Sequence, residues 1–203
     1  MKSHWAKIVS DVISPPVVWA ILAFPVAGRN APTPADALAW ALIYVIFVSG
    51  FPLLYILLQV RRGNITDMHM PKREERMRPF VISWVACLAA SILLFMVHAS
   101  NIMLMFTLST LIQITLMSLI TALWQISIHA VSISGAVITV GTLFGAVAAL
   151  LITPLIPIVG LARLNLHRHT RAQVIAGVIV GFISVSAVLA TVGLIQPGIW
   201  GQK

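Results

Sequence analysis

Two long uncharged runs set the terms for how this chain can fold. Residues 130–162 hold no charged side chain over 33 positions, and residues 172–195 hold none over 24. A helix needs roughly 17–25 apolar residues to cross the hydrocarbon core of a bilayer, so both runs are of membrane length. Between them the segment "RLNLHRHTR" packs Arg163, Arg168, Arg171, His167 and His169 into nine residues. A charge cluster placed between two such runs belongs at a water–membrane boundary, and the question is whether it anchors the chain or binds something.

The rest of the sequence agrees with a membrane setting. Charged residues make up 9% of the chain, against about 25% in soluble domains, and the mean hydropathy is +1.02. This is the composition of an all-α polytopic membrane helix bundle, read as one integral membrane domain over residues 1–203 with six or seven transmembrane helices. The net charge of +8 would suggest nucleic acid in a soluble protein. In this setting it fits membrane orientation and an anionic ligand, with no nucleic acid partner. The single cysteine, Cys87, rules out an intrachain disulfide. The five acids are Asp11, Asp36, Asp67, Glu74 and Glu75, so no mechanism can draw a carboxylate from the second half of the chain.

Along the chain, residues 12–28 form a short apolar run broken by Pro15, Pro16 and Pro25, either a short span or a re-entrant segment. Pro-Pro and Asp11 argue against a signal peptide. Asp36 is positioned to cap a second run, 37–60, which Gly50 and Pro52 are expected to kink. A polar loop, 61–79, "RRGNITDMHMPKREERMRP", precedes spans at 80–97 and 102–124 joined by "HASN". The 130–162 run is too long for one ordinary span. Thr153-Pro154 and Pro157 predict a break that divides it into two short helices. In the last span Gly177 and Gly181 form a small-xxx-small pattern that permits close helix contact.

Seven crossings put Lys2, Lys7, Arg61, Arg62, Lys72, Arg73, Arg76, Arg78, Arg163, Arg168 and Arg171 on one face, and Arg29 and Lys203 on the other. That asymmetry favours a cytoplasmic location for the rich face, in a bacterial-type inner membrane.

Three polar patches share that face: Lys72-Arg-Glu-Glu-Arg-Met-Arg78-Pro79, Ser127-Ile-His129, and Arg163 followed by His169 and Gln173. Guanidinium groups form bidentate, charge-assisted bonds to phosphate oxygens. Histidines add groups that attack or transfer protons near neutral pH. Helix starts just after Ser127–His129 and after His169 would aim backbone N–H groups at the same anion.

Taken together, the patches resemble the three signatures of the type 2 phosphatidic acid phosphatase superfamily over about residues 60–190. The family's first signature is Lys, six residues, then Arg-Pro. The second is Pro-Ser-Gly-His. The third is Ser-Arg, five residues, His, three residues, Asp. Arg78-Pro79, Ser127-x-His129 and the five-residue gap from Arg163 to His169 match, and "RHTRAQVIAG" is very like the family's text there.

The resemblance implies His169 as a nucleophile that becomes phosphohistidine and His129 as the general acid. It assigns the phosphoryl group to Arg163, Arg78 and either Lys72 or Arg73, with Ser127 beside it. It also implies a metal-independent reaction without cofactor on a phospholipid or isoprenyl phosphate.

The chain departs from the pattern in several places. Pro71 stands where the family has Lys, Ile126 and Ile128 replace Pro and Gly, and Ala162 replaces Ser. Gln173 replaces the Asp that orients the nucleophilic ring, which leaves Asp67, Glu74 or Glu75 as acids that could substitute from the other loop.

Plainer readings stand beside these. The arginines also suit positive-inside anchoring. His129 also suits a hydrogen-bonded interfacial histidine. Thr170-Arg-Ala-Gln173 fits a capping box. His4 and His98 read as interfacial residues, and His69 and His167 as auxiliaries without a motif. No three ligands fall at zinc spacing, so no metal site is expected. A prenyltransferase would need a second acidic cluster that the chain lacks. The competing class is a non-catalytic relative that binds anionic lipid or serves in a membrane complex or homo-oligomer.

Overall fold

The computed structural model describes residues 4–195, the last five of them by backbone only; Lys2 and Lys203 lie outside this range. The elements in chain order are α1 (His4–Val12), α2 (Pro15–Gly28), α3 (Pro34–Tyr44), a π-helical turn (Val45–Gly50), α4 (Phe51–Arg61), α5 (Glu74–Met96), α6 (Asn101–Leu123), α7 (Ile128–Phe144), α8 (Ala146–Ile152), α9 (Leu155–Asn165) and α10 (Arg171–Ile195). There is no strand among the described residues, and the protein is an all-α polytopic membrane protein. Five helical stretches are long and apolar enough to span: 34–61, α5, α6, 146–165 and 171–190. The α1–α2 pair, bent by 43°, makes a sixth if it is one span, and α7, at 17 residues, sits at the short end of the spanning range.

Backbone contacts divide the chain into two compact units, Met1–Trp19 with Ile126–Lys203, and Ala20–Gln125. The first is called the histidine unit below and the second the loop unit.

In the loop unit, α3, the π turn and α4 form one continuous helical stretch of 28 residues. Its cap is Thr33, not Asp36. Thr33 Oγ1 accepts from the Asp36 N–H at 3.1 Å and donates to the Asp36 carboxylate at 2.7 Å, while Pro34 opens the helix. Asp36 thus occupies the third helical position, with its N–H and its carboxylate both on the Thr33 hydroxyl. The kink expected near Gly50 and Pro52 is a π turn, where the Phe51 N–H reaches back to the Ile46 carbonyl. Pro52 has no N–H to continue the α ladder, and a widened turn absorbs the missing bond.

Helix α4 ends in a Schellman turn at Gly63 (φ 75°), with Gly63 N–H on Val60 O and Asn64 N–H on Gln59 O. α5 ends the same way at His98 (φ 54°), whose N–H meets Phe95 O while Ala99 N–H meets Leu94 O. The interfacial histidine of the sequence reading is therefore a helix-ending residue. α6 then starts on the Ser100 cap. α5 begins at Glu74, six residues before the expected span, because Glu74 and Glu75 suit the positive end of a helix. Tyr44 hydroxyl to Thr110 Oγ1 (2.7 Å) and Trp84 Nε1 to Thr115 Oγ1 (3.1 Å) tie these helices together.

The histidine unit is built around α7, which is buried along nearly its whole length from His129 to Leu143. A helix apolar or small on all sides is a core helix. The long run breaks twice, at Thr153-Pro154 as the prolines predict and before it at Gly145 (φ 93°), which the prolines do not predict. A left-handed backbone costs glycine nothing, whereas Pro157 falls in the first turn of α9, where its missing N–H has no partner to lose. The Thr153-Pro154 break is real but mild, since Thr153 N–H still reaches Ala149 O at 2.9 Å.

α10 lies on α7 through Gly177 and Gly181. A Cβ on Gly177 would stand 2.7 Å from Ser127 O, and one on Gly181 would stand 2.3 Å from Val131 O. The small-xxx-small pattern is thus the contact seam itself. Ile175, Ile179 and Ile183 of α10 are exposed, as lipid-facing residues should be.

Candidate functional site

Each polar patch starts from a local backbone device. Ser127 is the N-cap of α7; its hydroxyl accepts from the Ala130 N–H at 3.4 Å, and its own N–H bonds Gln173 O at 3.1 Å. His129 therefore sits in the first turn of α7, as its position after the cap requires.

The gap from Arg163 to His169 has an equally local origin. α9 ends in a Schellman turn with His167 in the left-handed region (φ 51°). His167 N–H bonds Leu164 O at 2.9 Å and Arg168 N–H bonds Arg163 O at 3.1 Å. A capping box follows, with Thr170 N–H on Gln173 Oε1 (2.9 Å) and Gln173 N–H on Thr170 Oγ1 (3.3 Å). One helix end and one helix start thus fix the five-residue spacing, and His167 gains a backbone role that the sequence reading left open.

In the histidine unit, Arg163 is 1% exposed, His169 7% and His129 8%. Arg163 is the largest fully buried side chain of the described residues. Burying a guanidinium is costly unless polar groups meet it. Ser10 of α1, itself fully buried, is one of them: Arg163 Nη1 donates to Ser10 Oγ at 3.3 Å. The same residue meets His129, whose Nε2 lies 3.0 Å from Ser10 O. α1, unassigned in the sequence reading, therefore joins His129 and Arg163 through one serine. Its signal in the sequence is faint: small residues Ala6 and Ser10 one turn apart on an otherwise amphipathic stretch.

The remaining expected residues lie in the loop unit. Lys72 is exposed, with Nζ 3.9 Å from Glu75 Oε1. Arg73 is exposed and donates to Leu123 O at 3.2 Å. Arg78 is exposed on α5. The buried arginine of this unit is Arg76, which the signature comparison passed over. Arg76 is 3% exposed and donates to Met70 O at 2.9 Å and His69 O at 3.4 Å, so it pins the 62–73 loop to α5. Two of the three acids weighed as substitutes are engaged with that loop: Asp67 accepts the His69 N–H at 2.7 Å, and Glu75 accepts the Thr66 hydroxyl.

Gln173 has its side-chain oxygen on the Thr170 N–H, which is the capping role read from the sequence. Gln173→Ala is expected to lower stability by about 1 kcal/mol through the lost cap, read as a lower melting temperature in detergent. Among the described residues no group of three or more His, Cys, Asp or Glu comes close enough to hold a metal ion.

Comparison with protein-family models, with curated proteins and with solved structures finds no match that reaches significance.

Proposed function

We propose that the protein is a membrane-embedded phosphatase for a lipid phosphate or diphosphate. Catalysis would run through a phosphohistidine at His169 and need no metal. The observation that carries this reading is the burial of Arg163, His129 and His169 in one unit at the ends of α9, α7 and α10. A guanidinium out of water attracts a phosphoryl group more strongly than one in water, because the low dielectric strengthens charge-assisted bonds. The α7 and α10 N-termini add partial positive charge close to His129 and His169.

In the reaction, His169 attacks phosphorus while Arg163 stabilises the charge that develops on the phosphoryl oxygens. His129 protonates the leaving oxygen and later takes a proton from the water that hydrolyses the phosphoenzyme. Within the same unit, Ser127 remains a proposed phosphate ligand by resemblance. The substrate class is a phosphatidate-type lipid or an isoprenyl diphosphate. The location is a bacterial-type inner membrane with the basic face in the cytoplasm, motivated by the distribution of cations.

A second reading is favoured by one observation. The oxygen of Gln173 that could orient the His169 ring is taken by the Thr170 N–H. A relative with a neutral amide in place of the acid would bind an anionic lipid without cleaving it.

The separating experiment is phosphate release by the purified protein in detergent, with phosphatidate or an isoprenyl diphosphate and with chelator present. Release above the protein-free background is expected. Background-level release from both substrates would leave the binding reading. Release that disappears with chelator would overturn the metal-independent mechanism.

A further inference from the structure

α1 packs on α9 through Ala6 against Ala162 and Leu166, with Val9 alongside, and this places Ser10 over the polar pair. A carbonyl oxygen has no proton to give. In the Ser10 O···Nε2 contact of 3.0 Å the ring must therefore be the donor, so Nε2 carries hydrogen in both protonation states of His129. The neutral ring then has its basic lone pair on Nδ1.

We infer that Ser10 is a positioning residue of this site: its carbonyl makes Nδ1 the proton-exchanging nitrogen of His129, and its hydroxyl holds the Arg163 guanidinium. The catalytic consequence rests on the phosphatase reading; the choice of nitrogen does not. In the first half-reaction the bridging P–O bond breaks and a His169 N–P bond forms. The Nδ1–H bond of the His129 imidazolium breaks as an O–H bond forms on the leaving oxygen. In the second half-reaction water attacks phosphorus, the N–P bond breaks, and the proton of water passes to Nδ1. Throughout, Nε2–H stays on Ser10. A backbone carbonyl is a suitable group for this task, because it fixes the tautomer and ring plane without titrating.

The first test is nitrogen NMR of the ¹⁵N-histidine-labelled full chain in detergent, with the His129 signals identified by their loss in His129→Gln. At a pH where the ring is neutral, a protonated Nε2 and an unprotonated Nδ1 are expected. The opposite tautomer would overturn the inference.

The second test concerns the hydroxyl. Ser10→Ala keeps the carbonyl, so the tautomer should persist. The KM for phosphatidate should rise roughly tenfold, the loss expected for one hydrogen bond to a charged group. Ser10→Thr should restore most of it. Unchanged kinetics in a folded Ser10→Ala protein would remove the hydroxyl from the site, and failure of the alanine variant to fold leaves the wild-type tautomer to decide. A wild-type protein that releases no phosphate sinks the phosphatase reading and with it the catalytic part of this inference. The Nδ1–H tautomer sinks the Ser10 inference alone, so the two failures are distinguishable.

Discussion

His169→Ala is expected to reduce phosphate release from phosphatidate to the protein-free background, a loss of about 10⁴-fold or more, with the helical fold retained. The magnitude follows from the role. Without a nucleophile, only the Arg163 clamp and bound-state positioning remain, and such remnants keep a small fraction of an enzyme's acceleration. Retention of the fold follows from the local structure. The turn that carries His169 is held by the His167 and Arg168 backbone bonds and by the Thr170–Gln173 box, none of which uses the His169 ring. Circular dichroism and the melting temperature, measured beside phosphate release, separate lost chemistry from lost structure. His169→Gln, closer in volume, guards against a packing defect at this buried position. Wild-type turnover itself is expected to be slow. In serine proteases, replacing the acid that orients the catalytic ring lowers kcat about 10⁴-fold, and here the corresponding position is Gln173, an amide committed to a helix cap.

Gly181→Leu is expected to cost at least about 3 kcal/mol and to separate α10 from α7. Even a lone Cβ would sit 2.0 Å from Ser134 Oγ, 2.3 Å from Val131 O and 3.0 Å from Val131 C. The serine hydroxyl is itself held, donating to Ala130 O at 2.8 Å and Val131 O at 3.1 Å. The carbonyl of Val131 belongs to the helix backbone and cannot rotate away. The helices must therefore part, and the dispersion contacts along the seam go with them. Gly28→Ala is the control: a Cβ there meets nothing within 4 Å, so a change within about 0.5 kcal/mol is expected. Denaturant titration in mixed micelles reads both. Equal melting of the two variants would mean that the α7–α10 seam is looser than the glycine contacts imply.

What could be read from the sequence was whatever a local rule determines. Membrane-length helices follow from uncharged runs and the Thr170–Gln173 box from its residue types, whereas α7 starts at Ile128 on the Ser127 cap, before His129 rather than after it. Asp36 reads as a cap from its residue type alone, although Pro34 suits the first helical position and so marks Thr33 before it. The prolines mark the break at Thr153-Pro154, but a lone glycine among many does not announce a left-handed backbone, so the second break at Gly145 is not legible. Polar burial was not legible at all. The small residues Ala6 and Ser10 mark a contact face but not its polar partners, and Arg76 differs from Arg73 and Arg78 only once the 62–73 loop folds over it. The contacts of Ser10 with His129 and Arg163 span long sequence separation, and a one-dimensional pattern holds no record of them.

The most direct test of the account is capture of the covalent intermediate. Wild-type protein in detergent is mixed with ³²P-labelled phosphatidate and chelator, quenched in alkali, digested and mapped. The expected result is alkali-stable, acid-labile label on the peptide that contains His169, absent from His169→Ala. Phosphate release without label on that peptide, or label that persists in the alanine variant, would contradict a phosphohistidine mechanism at this site.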